Sequence, residues 1–525
     1  MKSNRVPRRP AWGLVVIAAL ICLVVSFVLC LFAPTDLNTS YLWTAIGLFW
    51  GLNVFVLIDK VSYKDNWFTP EIVFLVPYWL YQLAYVQFWL MGVFPFTYPG
   101  RVFNYSYSVC FSTMMAVSGW AAFVLGHNIL ARKVFIAPSV SKVQKRYDYK
   151  TLQTWNKYGE IILYLALVSL VLIIVLAPSR FSMRYGEQDY EVAAGFTKYT
   201  ILLLTKLQNT LMLVGLPLAV VGRQGQKRSF WPGWKIAVIL GVHGIIWSLL
   251  GNRSGVVYPL SVLFVCLSEI ARPLRFLHIV VLALIALLFL DFVGLGRSSQ
   301  GRTFTSMLDQ YAEFVSREEQ APILTTLEEQ AASAQTLYAA SAVVPDVFPY
   351  GLGRRKLYEI IGIIPFVNYI AQRFGFNPMS VPYFNSAYFL TYVIYQGNFS
   401  TGAGSTICAD FYVDFGLIGV VAGLLLVGYI TRKIQQLSRT CSDVRYNAAY
   451  FVVVAILLQM PRRGFVAMFS AVIWTLAALA LVNFARKVKV PYTYHREDEI
   501  LQRDGIVVDT GCKNVRLTEQ GRFVQ

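Results

Sequence analysis

The sequence is short of charge. Only 14% of its 525 residues are Asp, Glu, Lys or Arg, while 56% are hydrophobic; ordinary soluble domains carry about a quarter charged residues. That shortage excludes a water-soluble globular fold. Histidine is scarce too: His127, His243, His278 and His495 are the whole supply. Neither they nor the seven cysteines form a CxxC pair, an HExxH helix or another metal-ligand spacing, so no disulfide framework and no metal centre is expected. A GxSxG elbow and a Walker loop are also missing, which leaves hydrolase chemistry and nucleotide-driven transport without a local signature. No internal repeat is visible, against a transporter built from two matching halves. Four Asn-x-Ser/Thr sequons (Asn38, Asn104, Asn252, Asn398) match a degenerate pattern and carry little weight.

What the sequence has is long apolar runs. A hydrocarbon core about 30 Å thick needs roughly 20 apolar residues per helix. Runs near that length occupy 11–32, 41–58, 70–95, 108–130, 159–178, 199–222, 234–250, 255–271, 276–294, 411–430, 447–460 and 464–485. They predict an all-α polytopic membrane protein of about 12 transmembrane helices. The runs 41–58 and 447–460 are short, and 70–95 is expected to kink at Pro77, with Gln82 and Gln87 nearby. The first run reads as an uncleaved signal anchor: it exceeds a signal-peptide core and no small-x-small site follows it.

A net charge of +18 raises the question of nucleic acid, and the distribution of charge answers it. With the N-terminus in the cytoplasm, the inner segments 1–10, 59–69, 131–158, 223–233, 272–275 and 431–446 hold 22 Lys and Arg, and the short outer loops hold six. This is the positive-inside pattern of a membrane protein, so membrane lipid is the expected surroundings and nucleic acid is not a partner. The domain plan follows: helices one to nine in 1–294, an extracytoplasmic loop in 295–410, helices ten to twelve in 411–485, and a cytoplasmic tail in 486–525. A loop of that length is functional or disordered. "SMLDQYAEFVSREEQ" and "RKLYEIIGIIPFVNYIAQRF" carry helical apolar spacing, and Leu357, Ile360, Ile361 and Ile364 share one face before Pro365. The loop is therefore expected to be a partly helical lid, with this second helix lying at the membrane surface.

The basic residues of the short outer loops are all arginine: Arg101, Arg180, Arg184, Arg253, Arg462 and Arg463. Arg253 sits in "GNRSG" between two apolar runs. From Lys235 to Arg253 spans about 27 Å of helix and from Arg253 to Glu269 about 24 Å at 1.5 Å per residue, so the turn is expected to lie recessed in an outward cavity. An arginine there is by default functional, and its planar fork suits phosphate oxygens. The flanking glycines are expected to let the backbone approach a ligand. Arg297 and Arg302 follow at the next span end, and lipid headgroups remain the competing anion. Acidic candidates outside are Glu187, Asp189, Glu191, Glu359, Asp410 and Asp414. Asp410 and Asp414 lie four apart on one helical face in "GAGSTICADFYVDFGLIGV", with Ser405 or Thr406 as a cap. They serve the helix N-terminus, or one faces the arginines as a base or sugar-hydroxyl ligand. His243, about 15 Å along the helix from Arg253, is expected to be a packing residue.

"LLGNRSGVVYPLSVLF", "YGLGRRKLYEIIGIIPF", "GAGSTICADFYVDFGLIGVVAGLLL" and "MPRRGFVAMFSAVIW", in that order over 245–485, resemble the Wzy-type O-antigen or oligosaccharide repeat-unit polymerases. The resemblance implies a GT-C-like architecture and glycan transfer at the outer face of a bacterial inner membrane. The donor would be a glycan on undecaprenyl pyrophosphate and the acceptor a lipid-linked repeat unit. No cofactor or metal is implied. It assigns Arg253 and Arg463 to pyrophosphate and Asp410 to the base, with Arg180, Arg184, Arg462, Asp414 and Tyr412 binding substrate. Arg180 and Arg184 do not map cleanly onto the family's loop motifs, and Arg462 and Arg463 are interchangeable at this level. A chain-length regulator and a flippase are possible partners. The alternatives are an O-antigen ligase, which should carry a histidine in the large loop where this chain has none, and a flippase or transporter of lipid-linked oligosaccharide.

Overall fold

A bilayer offers an unpaired peptide group nothing to bond, so a spanning chain satisfies itself within helices. Every regular element among the described residues of the computed structural model is helical. These residues are 12–63, 67–94, 105–129, 149–178, 196–224, 232–270, 274–275, 277–282, 284–285, 289, 309, 322–363, 367, 385–397, 402–440 and 444–486. The membrane part begins with α1 (Trp12–Leu31), α2 (Thr39–Tyr63), α3 (Pro70–Gln82), α4 (Ala84–Leu90) and α5 (Ser106–Ile129). It continues with α6 (Tyr149–Leu176), α7 (Phe196–Gln224), α8 (Trp234–Leu249) and α9 (Arg253–Ile270). Four short helices follow, α10 (Pro322–Ala331), α11 (Gln335–Val343), α12 (Arg354–Ile361) and α13 (Ser386–Tyr395). The chain ends with α14 (Ile407–Thr440), α15 (Val444–Leu457) and α16 (Phe465–Arg486) among the described residues.

Seven helices, α1, α2, α5, α6, α7, α9 and α14, are long and apolar enough to cross a membrane, and the bent pair α3–α4 counts as an eighth if taken as one span. The protein is thus all-helical and multi-pass. The expected spans at 234–250 and 447–460 are helices of 16 and 14 residues, and 276–294 falls mostly outside the described residues. The kink expected at Pro77 is displaced: α3 continues through the proline and breaks at Leu83 (φ −126°, ψ −27°), with a 59° bend. Both glutamines are hydrogen-bonded beside the break. Gln82 Nε2 donates to Pro461 O at 3.3 Å, and Gln87 Oε1 accepts from Trp79 Nε1 at 2.8 Å.

The centre of the bundle is α5, whose spanning window is 94% buried against 28% for the peripheral α1. Without a hydrophobic drive between helices in lipid, packing and polar contacts hold them together. Trp120 Nε1 donates to Asn53 Oδ1 of α2 at 3.1 Å, Ser118 Oγ donates to Ser26 Oγ of α1 at 2.9 Å, and Tyr78 OH of α3 donates to Ala116 O at 2.6 Å.

The segment expected to form a lid is tied to the bundle at a defect in α14. Gly416 has φ 64° and ψ −157°, a conformation open in practice only to glycine, and it interrupts the helical ladder. The carbonyls of Val413 and Asp414 turn outward and accept from the backbone N–H groups of Gly351 and Leu352, each at 3.0 Å. Thus the chain entering α12 completes the hydrogen bonding that α14 gives up. Helix α12 is amphipathic in the inverted sense: Leu357 and Ile360 are exposed while Arg355 and Lys356 are buried. Its apolar residues Leu357 and Ile360 face outward, and its charged residues Arg355 and Lys356 face into the protein. Ile364, Pro365 and most of "SMLDQYAEFVSREEQ" lie outside the described residues.

Candidate active site

The turn before α9 is built tightly. Gly251 (φ +68°) takes the left-handed conformation, and Asn252 Oδ1 accepts from Gly255 N at 3.1 Å, capping the helix that Arg253 opens. His243 Nε2 lies 2.7 Å from Gly255 O, and its Nδ1 lies 2.9 Å from Gln208 Nε2. A carbonyl only accepts, so Nε2 carries the proton and Nδ1 accepts from the amide. His243 therefore packs and also holds the turn. The flanking glycines do not serve ligand approach as expected: Gly251 makes the turn, and a Cβ added at Gly255 would lie 2.6 Å from Cγ of the Trp247 ring. Gly255→Ala is expected to destabilise the protein by about 1–3 kcal/mol through overpacking, read as a lower Tm in detergent; an unchanged Tm would mean that the indole moves aside freely.

Arg253 opens onto a cavity of about 1160 Å³. The 3-10 turn Met460–Arg462 brings in the second half of the site. Arg463 hydrogen-bonds Ser254 of the Arg253 turn, and its guanidinium lies 5.9 Å from the Tyr258 ring. Arg462 points the other way, hydrogen-bonding Gln330 of lid helix α10 and lying 5.6 Å from the Tyr81 ring. The two arginines that sequence left interchangeable are therefore distinct: Arg463 joins the membrane turn, and Arg462 joins the lid. Lys206, from α7, also lines the cavity and donates to Gly362 O at 2.9 Å. Four cations thus share the lining with one carboxylate, Glu359, among the described lining residues. The rest of the wall is mostly apolar, with Val76 and Leu80 of α3, Leu260 and Phe264 of α9, and Ile285 and Phe289 beyond it. Cations lining an otherwise mostly apolar cavity suit an amphiphile with a polyanionic headgroup.

The acidic pair stands elsewhere. Helix α14 begins at Ile407, so Asp410 is already inside it, and neither Asp410 nor Asp414 lines the cavity. Both are fully buried. Asp410 Oδ1 accepts from Lys356 Nζ and Ser386 Oγ, and its Oδ2 accepts from Phe465 N at 2.8 Å, at the start of α16. Asp414 Oδ1 accepts from Arg355 at 3.2 Å, and its Oδ2 lies 3.7 Å from Lys356 Nζ. Arg355 also donates to Val413 O at 2.9 Å and stacks 4.4 Å from the Phe389 ring centre. The two aspartates thus clamp lid helix α12, and with both its oxygens occupied Asp410 is poorly placed to act as a base. Asp410 does stand in the first turn of α14, its N–H donating to Thr406 O at 2.8 Å, while Thr406 Oγ1 accepts from Thr336 at 3.3 Å. Tyr412 is buried, donates to Val344 O at 3.0 Å, and does not line the cavity. Arg180, Arg184, Arg297, Arg302, Glu187, Asp189 and Glu191 lie outside the described residues.

Sequence reasoning passed over Lys206, Arg355 and Lys356. A lone lysine within the run 199–222 was itself a signal, since an ionisable residue inside a span is functional by default. The charges of "GRRKLYE" were legible as a cluster, but not as an inward-facing one. Among the described residues, no three His, Cys, Asp or Glu side chains gather as a metal-binding group. The model of the family described as O-antigen polysaccharide polymerase Wzy matches residues 14–494 of the chain. No curated protein and no solved structure matches it.

Proposed function

The chain belongs to the O-antigen polysaccharide polymerase Wzy family, and on that premise we propose that it lengthens a bacterial surface polysaccharide at the outer face of the inner membrane. The donor is a growing glycan on undecaprenyl pyrophosphate, and the acceptor is one lipid-linked repeat unit. The observation that carries this reading is that Arg253, Arg462, Arg463 and Lys206, from separate parts of the chain, all line one otherwise mostly apolar cavity. That arrangement fits a pyrophosphate joined to a polyprenyl chain.

In this mechanism Arg253 and Arg463 hold the pyrophosphate, and their charge counts most as the bond to the sugar breaks and negative charge builds on the leaving oxygen. Arg462 and Lys206 add to the same field from the lid and from α7. Pyrophosphate leaves readily, so no strong acid is needed, and the guanidinium groups do the work that a metal does in other phosphate sites. An acceptor hydroxyl attacks the anomeric carbon and a carboxylate receives its proton. The purified protein in lipid nanodiscs, given lipid-linked repeat units alone, is expected to produce a glycan ladder and free polyprenyl pyrophosphate, with or without EDTA. No ladder from intact protein would sink the polymerase reading, and a ladder abolished by EDTA would sink the metal-free one.

A further inference from the structure

We propose that Glu359 is the proton acceptor of the transfer reaction, a role that rests on reading the cavity as the polymerase site. It is the one carboxylate among the described residues lining the cavity that holds Arg253, Arg462, Arg463 and Lys206. The Ser386 backbone N–H orients it, while Oε2 is buried without a hydrogen-bond partner. A carboxylate oxygen left unpaired in a buried place is costly, and an incoming hydroxyl would satisfy it. Its position is secured by the aspartate clamp. Arg355, Lys356 and Glu359 stand at i, i+1 and i+4, so they share the inward face of α12, and Asp414 and Asp410 hold the first two. Asp410 thereby acts on the reaction as a positioning residue.

Burial pushes the Glu359 carboxyl up to about 8, with Asp410 and Asp414 raising it further and Lys356 opposing them. A raised pKa makes the ionised carboxylate a better proton acceptor. The bonds balance as follows. The acceptor oxygen forms its bond to the anomeric carbon as the carbon–oxygen bond to pyrophosphate breaks. The electron pair of that bond leaves with polyprenyl pyrophosphate, and the hydroxyl proton passes to Glu359 Oε2.

The test compares Glu359→Gln, Glu359→Asp and Arg253→Ala with the wild type, as full-length protein in nanodiscs with lipid-linked repeat units. Glu359→Gln is expected to lower kcat about 10²–10⁴-fold with KM within about threefold, and Glu359→Asp to retain part of the rate. The wild-type rate should climb as pH rises through about 8, and Glu359→Gln should lose that limb. The other charged groups around Glu359 are Arg355 and Lys356 on its own helix, Asp410 and Asp414 on α14, Lys206 on α7, Arg253 on α9, and Arg462 and Arg463 before α16; all are present in both proteins. A Glu359→Gln variant with near wild-type kcat, or with KM raised and kcat kept, overturns the base assignment while loss in Arg253→Ala leaves the polymerase site standing. Full activity in Arg253→Ala overturns the site itself. Should Glu359→Gln fail to fold, Glu359→Asp carries the test through its kcat at constant KM.

Discussion

Replacing Arg253 with alanine is expected to erase the long glycan ladder of cells that depend on this protein, while single repeats still reach the outer face. Removing one preorganised donor aimed at developing charge costs about 10²–10³-fold in turnover, enough to reduce a ladder to its shortest rungs. Arg253→Lys keeps the charge and loses the fork, so an intermediate ladder is expected. The side chain opens onto a cavity, so both variants should reach normal levels in the membrane. Gel analysis of the glycan, with immunoblots of the membrane fraction, makes the measurement. A normal ladder from both variants would mean that Arg253 only reaches for lipid headgroups. Repeats stranded on the inner face would point to a flippase.

The clamp carries the second large effect, and it is one of stability. Asp410→Ala leaves Lys356 buried without its nearest anion, Ser386 Oγ without that acceptor, and Phe465 N without the carboxylate that receives it. Breaking a buried ion pair from one side costs about 3–5 kcal/mol. A clear fall in Tm in detergent and faster proteolysis around 354–361 are expected. The double change Lys356→Met with Asp410→Leu removes both charges and should recover much of the loss, because well-packed apolar replacements of buried pairs are close to neutral. Its Tm would rise while its polymerase activity stayed low, since Glu359 would no longer be held in place. An Asp410→Ala protein as stable as the wild type would show that α12 does not depend on the clamp.

Much of the site was legible because each cue was local. Arg253 stands out by its place in "GNRSG" between apolar runs, and Arg462 and Arg463 by "PRRG" opening the last span. Cost in the membrane makes such charges conspicuous in one dimension. Glu359 appeared only as one acid among several, since nothing in the order of residues says which acid shares a cavity with arginines from distant spans. Asp410 was read as the base beside Asp414 because their i, i+4 spacing is visible in the sequence, whereas partners that occupy them include Arg355 and Lys356, some 54 to 59 residues earlier.

By itself, the sequence determined what the bilayer enforces, an all-helical, multi-pass chain, together with the family to which the order of motifs points. These follow from hydrophobic length and charge placement, which the chain carries residue by residue. Only the tertiary structure decided the division of labour among the charges. The break at Gly416 freed two carbonyls for the lid, the inverted face of α12 turned two cations inward onto the aspartates, and the turns before α9 and α16 brought arginines from separate spans to one cavity. Pairing of buried charge depends on which groups meet across the fold, and that meeting is a property of packing rather than of sequence order.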